Sequence, residues 1–207
     1  MSNQLKDFNT ISRTAGPVLY REKKSRFMGY AFPVSSVEVA DQRLASLRKE
    51  HADATHVCYG YRIGIVNTQL RMNDDGEPAY TAGSPILGQI TSAGLYDVLV
   101  CVVRYYGGVK LGAGGLSKAY KEAAKGVLDS STVIRRKAVS IIRLQFQYPQ
   151  LDEVMGFISQ NRLKVTSQQM KLDCTIEIVV SPEKSEAYCS RLTRIEGVEV
   201  QRKEVFR

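Results

Sequence analysis

The sequence of 207 residues lacks the features that mark several large classes of protein. No apolar run reaches the roughly 18 residues that span a membrane. The first residues, MSNQLKDF, show no basic region leading into an apolar segment, so no signal peptide is expected. The four cysteines are far apart and form no CxxC pair, which predicts neither a zinc site nor a redox pair. We therefore expect a cytoplasmic protein without a cofactor.

The composition is that of an ordinary globular protein. Hydrophobic residues make up 43% of the chain and charged residues 24%, with 16 glycines and 6 prolines, which suits one or two domains with a buried core. The net charge is +8, and it is evenly spread. Sixteen basic and 12 acidic side chains precede Ser130, and 13 basic and 9 acidic side chains follow it. A basic surface on both parts favours a polyanionic partner such as RNA.

The first 130 residues predict alternating strands and helices. Strands are expected at residues 17–20, 26–32, 55–66 and 98–106. The third of these has one apolar face and one small, polar face, and the fourth is apolar enough to be buried on both faces. Helices are expected at residues 36–51, 84–94 and 116–128, the first two with Ser36 and Ser84 as N-caps. A basic turn is expected at residues 21–25, between the first two strands.

The last 70 residues predict a second domain. A strand at 139–147 is followed by a helix at 151–158 and by two strands at 163–170 and 172–180. A second helix, after Ser181-Pro182, and a strand at 198–205 complete the expected order. This βαββαβ order is the signature of a ferredoxin-like domain. The charged stretch at 133–137 is the expected boundary.

A glycine-rich segment after the buried strand is the strongest candidate for binding chemistry. A strand, five glycines and a helix start expose backbone amides that can hold an anion. The segment matches neither the P-loop nor the dinucleotide-binding pattern. The alternative is a tight turn with close backbone packing. The expected anion-binding or nucleic-acid-binding residues here are Arg104, Tyr105, Gly107, Gly108, Lys110, Gly112, Gly114, Gly115 and Ser117.

The following helix carries a basic stripe. Lys118, Lys121 and Lys125 fall at positions i, i+3 and i+7 and so share one face. This stripe is either a solvated helix face or an extension of the anion site along a nucleic-acid backbone.

The turn at residues 73–78 is rich in carboxylates. Asp74, Asp75 and Glu77 could hold a hard cation or act as acid and base, although Asp-Gly followed by Pro is also ordinary turn chemistry. The residues expected at a polar cleft are His56, Asp74, Asp75, Glu77 and Thr81. No metal site and no catalytic residue is predicted, because the spacing fits no EF-hand and no Ser-His-Asp arrangement.

Four motifs in this order and spacing closely resemble the IMPACT/YigZ family over nearly the whole chain. Three of them are HADATHVC at 51–58, DDGEP at 74–78 and TAG at 81–83. The fourth spans residues 102–120 and consists of VVRYYGG, the glycines that follow it and Ala119-Tyr120. The KKSRF segment at 23–27 resembles the family's amino-terminal motif. One difference is Tyr80, where the family usually has glycine. Its side chain is expected to narrow or partly cover a pocket.

The resemblance implies an α+β chain of two domains, 1–134 and 135–207. The first is expected to be a two-layer α/β domain similar to the second domain of small-subunit ribosomal protein five. The second is expected to be a ferredoxin-like domain similar to the last domain of elongation factor G, in which these fold types work on the ribosome. The family's eukaryotic relatives restrain the starvation response that inhibits translation initiation.

The leading hypothesis is a non-catalytic, translation-associated regulatory protein that binds RNA, the ribosome or a translation factor through basic surfaces. Two alternatives stay open. One is an enzyme or sensor of a small phosphorylated ligand at the glycine-rich loop, which requires this loop and the acidic turn to meet at one cleft. The other is a protein-interaction module whose motifs maintain the fold.

Overall fold

The computed structural model describes residues 6–206, which form two compact units. The first unit is Phe8–Arg135, and the second unit consists of residues 136–206 together with 6 and 7. Asp7 is held in the second unit by its carboxylate, which accepts a hydrogen bond of 3.0 Å from the Ala138 amide. Within the described residues, no helix has both the length and the apolar character needed to cross a membrane.

The first unit is built on a five-stranded sheet. Its strands are β2 (Ala15–Glu22), β3 (Ser25–Pro33), β4 (His56–Ile63), β5 (Gln69–Asn73) and β6 (Val98–Tyr105). They lie in the order β2-β3-β6-β4-β5, and every neighbouring pair is antiparallel. A separate two-stranded sheet is formed by β1 (Phe8–Ile11) and β7 (Val133–Arg136). Strand β6 is central and buried, as its continuous apolar run predicts.

Helices cover both faces of this sheet. They are α1 (Val37–Glu50), α2 (Gly83–Ser92) and α3 (Gly112–Asp129). Leu44 and Leu47 of α1 pack in one apolar core, and Ile86 of α2 and Tyr120 of α3 pack in the core on the opposite face. The expected two-layer arrangement is therefore wrong, because burial on both faces gives three layers.

Strand β4 shows the consequence of the third layer. Its predicted apolar face packs in the core of α1, through Val57, Tyr59, Tyr61 and Ile63. The opposite face, expected to be polar, is also buried, since Cys58 and Gly60 are covered by α2. A Cβ on Gly60 would lie 3.0 Å from the Leu87 amide nitrogen, so a larger residue would push α2 away.

Three short strands and one turn differ from the sequence predictions. β1, β5 and β7 were not expected, and β7 occupies most of the charged stretch predicted as the boundary. These strands have few apolar residues, so periodicity gives little signal for them. The turn between β2 and β3 consists of Lys23 and Lys24 alone, with φ of 41° and 68°. Such positive values at both central residues match the type I′ turn of a two-residue hairpin.

Two of the three helices begin earlier than predicted. α1 begins as expected, with Ser36 Oγ accepting a hydrogen bond of 3.4 Å from the Val39 amide. α2 begins at Gly83, so Ser84 lies inside the helix and is not its N-cap. α3 begins at Gly112, so Gly114 and Gly115 belong to its first turn and not to a loop.

The second unit has the predicted βαββαβ order. Its elements are β8 (Ala138–Phe146), α4 (Leu151–Gln160), β9 (Lys164–Met170), β10 (Cys174–Val180), α5 (Pro182–Leu192) and β11 (Glu199–Phe206). The sheet order is β11-β8-β10-β9, with antiparallel pairs. One core joins α4 and α5 to the sheet through residues such as Val154, Leu192 and Ile176.

Candidate functional site

Neighbouring strands β4 and β6 place His56 and Arg104 side by side. The two residues are paired in the antiparallel register, so their side chains emerge on the same face of the sheet. Arg104 is 5% exposed, and the His56 side chain is 20% exposed. His56 Nδ1 lies 2.7 Å from the Asp75 carbonyl oxygen. Because a carbonyl oxygen only accepts hydrogen bonds, Nδ1 is the donor in this contact.

Two carboxylates of the acidic turn hold the turn itself in place. Asp75 accepts a hydrogen bond of 2.6 Å from the Val57 amide and one of 2.7 Å from Arg48 Nη2. Asp74 accepts hydrogen bonds from three backbone amides, at 2.9, 2.9 and 2.8 Å, those of Tyr80, Ala82 and Gly83. Asp74 thereby caps α2 in place of Ser84. Both side chains are thus used structurally.

Glu77 is the buried acid of the turn. It is 8% exposed, and its Oε1 accepts hydrogen bonds from Arg104 Nη1, in a buried ion pair, and from the Tyr120 hydroxyl at 2.8 Å. His56 Nε2 lies 3.8 Å from the same oxygen. One carboxylate oxygen therefore connects the acidic turn to β4, β6 and α3. Among the described residues, no group of three or more His, Cys, Asp or Glu side chains could hold a metal ion.

Cys58 lies next to this network as a protonated thiol. Its Sγ is 3.0 Å from the Asp74 carbonyl oxygen and 3.3 Å from the Tyr120 hydroxyl. Burial raises the pKa of the Cys58 thiol to about 12, and burial also raises the pKa of Tyr120. At neutral pH both groups are hydrogen-bonding partners and not ionised nucleophiles.

We expect Cys58 to resist thiol reagents in the native protein and Cys189 to react first. Cys189 is partly exposed, whereas Cys58 is buried and its burial raises the pKa of the thiol to about 12. Reagents attack the thiolate, and a thiol of pKa about 12 is ionised at pH 8 to only about one part in ten thousand. An aromatic disulfide reagent at pH 8 should label Cys58 at least about a hundredfold more slowly than Cys189. Rapid labelling of Cys58 in a Cys189→Ser variant would contradict this burial.

The paired strands, the acidic turn and the glycine-rich segment meet at one cleft of about 450 Å³. This volume lies within the range of small-ligand sites. The charged and polar lining is His56, Glu77, Arg104, Lys110 and Thr55. The rest of the lining is Pro78, Tyr106, Leu111, Gly112, Ala113 and Leu116. The cleft thus combines a polar floor from the sheet with a largely apolar wall.

The glycine-rich segment is anchored at one end and open at the other. The Tyr106 amide donates to Thr55 Oγ1 at 3.0 Å, and the Gly107 amide donates to Ser25 Oγ at 3.1 Å. The segment then leads into α3 with Leu111 as N-cap, and Leu111 offers no side-chain acceptor. The first turn of α3, GAGG, contains no acidic residue. The positive end of the helix dipole is therefore not neutralised by its own first turn.

Arg104 is held in place beneath the surface of the cleft. Its guanidinium pairs with Glu77, but its Nε is fully buried and has no hydrogen-bond partner within residues 6–206. The guanidinium carbon lies 5.3 Å from the centre of the Tyr106 ring and 5.4 Å from that of Phe27, between two aromatic side chains.

Comparison with known proteins places the chain in a family. Residues 23–128 match the family model described as the Impact N-terminal domain. The IMPACT family member YigZ of Escherichia coli is 35% identical over 182 residues, which cover 86% of this chain and 89% of YigZ. The chain belongs to the IMPACT family. All the residues that line the cleft fall within the matched range.

Two solved structures are similar to this IMPACT family member. A crystal structure of a hypothetical protein has a TM-score of 0.68 at 30% sequence identity, and the match covers 95% of this chain and 97% of that one. This match shows the two-unit mixed α/β fold. The structure of the two-domain translational regulator Yih1 is 28% identical, covering 63% of this chain and 51% of that one. Its TM-score of 0.42 is too low for a conclusion about fold.

The structure brings some predicted site residues to the cleft and places others elsewhere. His56, Glu77, Arg104, Lys110 and Gly112 line it. The other twelve predicted residues do not: Asp74, Asp75, Thr81, Tyr105, Gly107, Gly108, Gly114, Gly115, Ser117, Lys118, Lys121 and Lys125. The Tyr105 side chain lies on the opposite face of β6 from Arg104, and its hydroxyl is 2.8 Å from His51 Nδ1 in the core of α1. Thr81 is buried and donates to the Pro78 carbonyl oxygen at 2.7 Å.

The predicted basic stripe lies on the surface of α3, outside the cleft lining. Lys118, Lys121 and Lys125 are all exposed. Lys125 forms an ion pair with Asp129 one turn later, so within the described chain Lys118 and Lys121 are the two lysines of the stripe without an acidic partner. Arg104 also differs from expectation, because a buried, paired guanidinium is not a surface contact for a nucleic-acid backbone.

Residue 80 does not affect the cleft in the way expected from its side chain. Tyr80 is 68% exposed and is not part of the cleft lining. Its φ is 62°, in the left-handed region that favours glycine. The backbone at this position therefore favours glycine, and Tyr80 adopts the same conformation with some strain.

Proposed function

We propose that this IMPACT family member is a non-catalytic, translation-associated protein that binds RNA through the basic side of its first unit. The observation that carries the proposal is the position of the β2–β3 hairpin. Its turn lies directly against the glycine-rich segment, because a Cβ on Gly107 would overlap the Lys24 carbonyl group. The basic hairpin, Lys110 and the start of α3 are therefore adjacent.

We call this surface the basic face. Its members are exposed cations that form no ion pair with any described residue: Lys23, Lys24, Lys110, Lys118 and Lys121. Unpaired, solvent-exposed cations on one surface are the footprint of a protein that contacts a phosphate backbone.

The link to translation rests on the family, whose members include the translational regulator Yih1. The proposal also keeps the finer expectation that the two units resemble the second domain of small-subunit ribosomal protein five and the last domain of elongation factor G. Those resemblances favour RNA of the ribosome as the partner, by analogy of fold.

We expect the Lys110→Gln/Lys118→Gln/Lys121→Gln variant to bind RNA about tenfold to a hundredfold more weakly than the parent at low salt. Each lost phosphate contact lowers the slope of log affinity against log salt concentration by about 0.7 on single strands, so the slope should fall by about 2. The measurement is fluorescence anisotropy of a labelled single-stranded RNA over a salt series.

The matched control is Lys164→Gln/Lys171→Gln/Lys203→Gln, which removes the same charge from exposed positions of the second unit. It should bind within about threefold of the parent, because it leaves every member of the basic face in place. The proposal fails if the parent shows no binding at low salt, or if the two triple variants lose affinity equally.

A second candidate function is favoured by one observation. The acidic turn and the glycine-rich segment do meet at one cleft, which is what a site for a small phosphorylated ligand requires. A protein-interaction module remains the outcome if the RNA measurements fail and this cleft binds no phosphate.

A further inference from the structure

We propose that the cleft binds one unpaired guanine base of a single-stranded RNA. The inference rests on the proposed function, because it assigns to the cleft a base of the same RNA whose phosphates contact the basic face. Three features of the cleft carry it: the acceptor atoms of its floor, its apolar wall with an exposed aromatic ring, and its connection to the basic face.

The first argument is an unused acceptor of Glu77. As the anion of an ion pair with Arg104, its carboxylate only accepts hydrogen bonds. Within residues 6–206, Arg104 and Tyr120 both donate to Oε1, and no group donates to Oε2. The fully enclosed polar side-chain atoms without a partner in that range are Arg104 Nε and Ser140 Oγ. Oε2 is not one of them, so it keeps accessible surface on a residue that lines the cleft.

The charge of this floor selects the part of a nucleotide that approaches it. A carboxylate repels a phosphate group, and the Arg104 cation beside it is already paired. A nucleobase is neutral, and N–H groups on its edge can donate to Oε2 of Glu77. His56 adds a second acceptor, because its Nδ1 donates to the Asp75 carbonyl oxygen and leaves Nε2 of the neutral ring to accept. This Nε2 lies 3.8 Å from Glu77 Oε1.

Two neighbouring acceptors favour guanine over the other bases. The hydrogen-bonding edge of guanine carries two adjacent donors, N1–H and the 2-amino group. On the edges of adenine, cytosine and uracil, each donor has only acceptors beside it. A second contact of those bases with the floor would therefore bring two acceptors together, which leaves both without a hydrogen bond.

The second argument is the wall of the cleft. The Tyr106 side chain is 46% exposed, and the Arg104 guanidinium carbon lies 5.3 Å from the centre of its ring. Pro78, Leu111 and Leu116 add apolar surface to the lining. Unstacked bases of single-stranded RNA bind by stacking on aromatic side chains while their edges form hydrogen bonds. The cleft offers both kinds of contact to one base.

The third argument is the connection through Lys110. This residue lines the cleft and is also a member of the basic face. Lys118 and Lys121 continue the basic face along α3, outside the lining. An RNA strand whose phosphates contact these lysines passes the mouth of the cleft and can place one base inside it. The phosphate contacts then supply affinity, and the base contact supplies selectivity.

The experiment compares a short oligouridine with the same oligonucleotide carrying one central guanosine, by fluorescence anisotropy over a salt series. The guanosine form should bind about tenfold more tightly, as well-placed hydrogen bonds to one base imply. Both affinities should fall as salt rises, but their ratio should stay constant, because a base contact releases no counterions. Inosine in place of guanosine controls for purine stacking. It lacks the 2-amino group and should lose most of the preference.

Matched variants locate the base. Tyr106→Leu removes the exposed ring of the cleft, and Tyr80→Leu removes an exposed ring outside the lining. Ala113→Met adds a longer side chain at an exposed lining position. Tyr106→Leu and Ala113→Met should each remove the preference for guanosine, and Tyr80→Leu should keep it. Lys118→Gln/Lys121→Gln should weaken binding of both oligonucleotides equally and so leave their ratio unchanged.

The outcomes separate this inference from the proposed function. Equal affinity for both oligonucleotides, with binding still dependent on the basic face, would overturn the base site and leave the proposed function standing. Absence of RNA binding by the parent would overturn the proposed function, and guanosine is then titrated alone. Guanosine binding that Ala113→Met abolishes would support the base site by itself, whereas no guanosine binding would overturn it as well. A preference that persists in both Tyr106→Leu and Ala113→Met would contradict the assigned position.

Discussion

Replacing Glu77 with glutamine is expected to destabilise the first unit by about 3 to 5 kcal/mol, as breaking a buried ion pair usually does. The Glu77 side chain is 4% exposed and that of Arg104 is 6% exposed, so water cannot replace the lost charge. The variant leaves a cation buried without its counter-ion, and it weakens the hydrogen bond from Tyr120. The measurement is hydrogen exchange of the β6 amides across a urea series, which reports on the first unit alone.

Two further variants test the cause. Glu77→Gln/Arg104→Met removes both charges and places an unbranched apolar side chain at 104. It should be more stable than Glu77→Gln alone. Asp129→Asn removes the acid of the exposed pair with Lys125 and should leave stability unchanged within error. If Glu77→Gln and Asp129→Asn behave alike, the pair beneath the cleft is not the structural centre that its burial implies.

The elements that the sequence predicts well are those whose signal is local. β6 is a continuous apolar run between polar segments, and α1 joins a helical apolar spacing to an N-cap at Ser36. The βαββαβ order of the second unit follows from the same kind of signal. In each case the residues that define the element are also the residues that it buries.

The helix starts beside the cleft are missed because their causes lie far along the chain. The cap of α2 is Asp74, which belongs to a turn eight and nine residues before the amides that it binds. Nothing local marks Ala82 or Gly83 as a helix start. The first turn of α3 contains three glycines, whose low helix propensity predicts a loop, and tertiary packing overrides that preference.

The sequence predicts the charged residues of the candidate site but not the apolar residues that line it. Motif residues with charged groups, such as Glu77 and Arg104, are found from the sequence because their chemistry is visible there. Leu111 and Leu116 line the same cleft, yet apolar residues at helical spacing are equally typical of a core. Tyr105 could have been excluded from the sequence, because neighbouring residues of a strand point to opposite faces and Arg104 already faces the site.

Gly107→Ala is expected to destabilise the first unit by about 2 to 3 kcal/mol and to weaken RNA binding, because it forces overpacking against backbone. An added Cβ would overlap the Lys24 carbonyl group, and backbone cannot turn aside as a flexible side chain can. The hairpin or the glycine-rich segment must then move, which separates the two parts of the basic face. The Gly107 hydrogen bond to Ser25 Oγ would be strained by the same movement.

Gly114→Ala is the matched control, because the same methyl group is added where it meets nothing within 4 Å. Gly114 lies inside α3, so alanine should stabilise the helix by about 1 kcal/mol through its higher helix propensity. The two substitutions, seven residues apart, should therefore change the urea midpoint of the first unit in opposite directions. RNA affinity is measured without urea, where both variants are folded. Under that condition only Gly107→Ala should reduce it. Equal effects would show that glycine content alone matters here, whereas opposite effects would show that the segment is held in place by its contact with the basic hairpin.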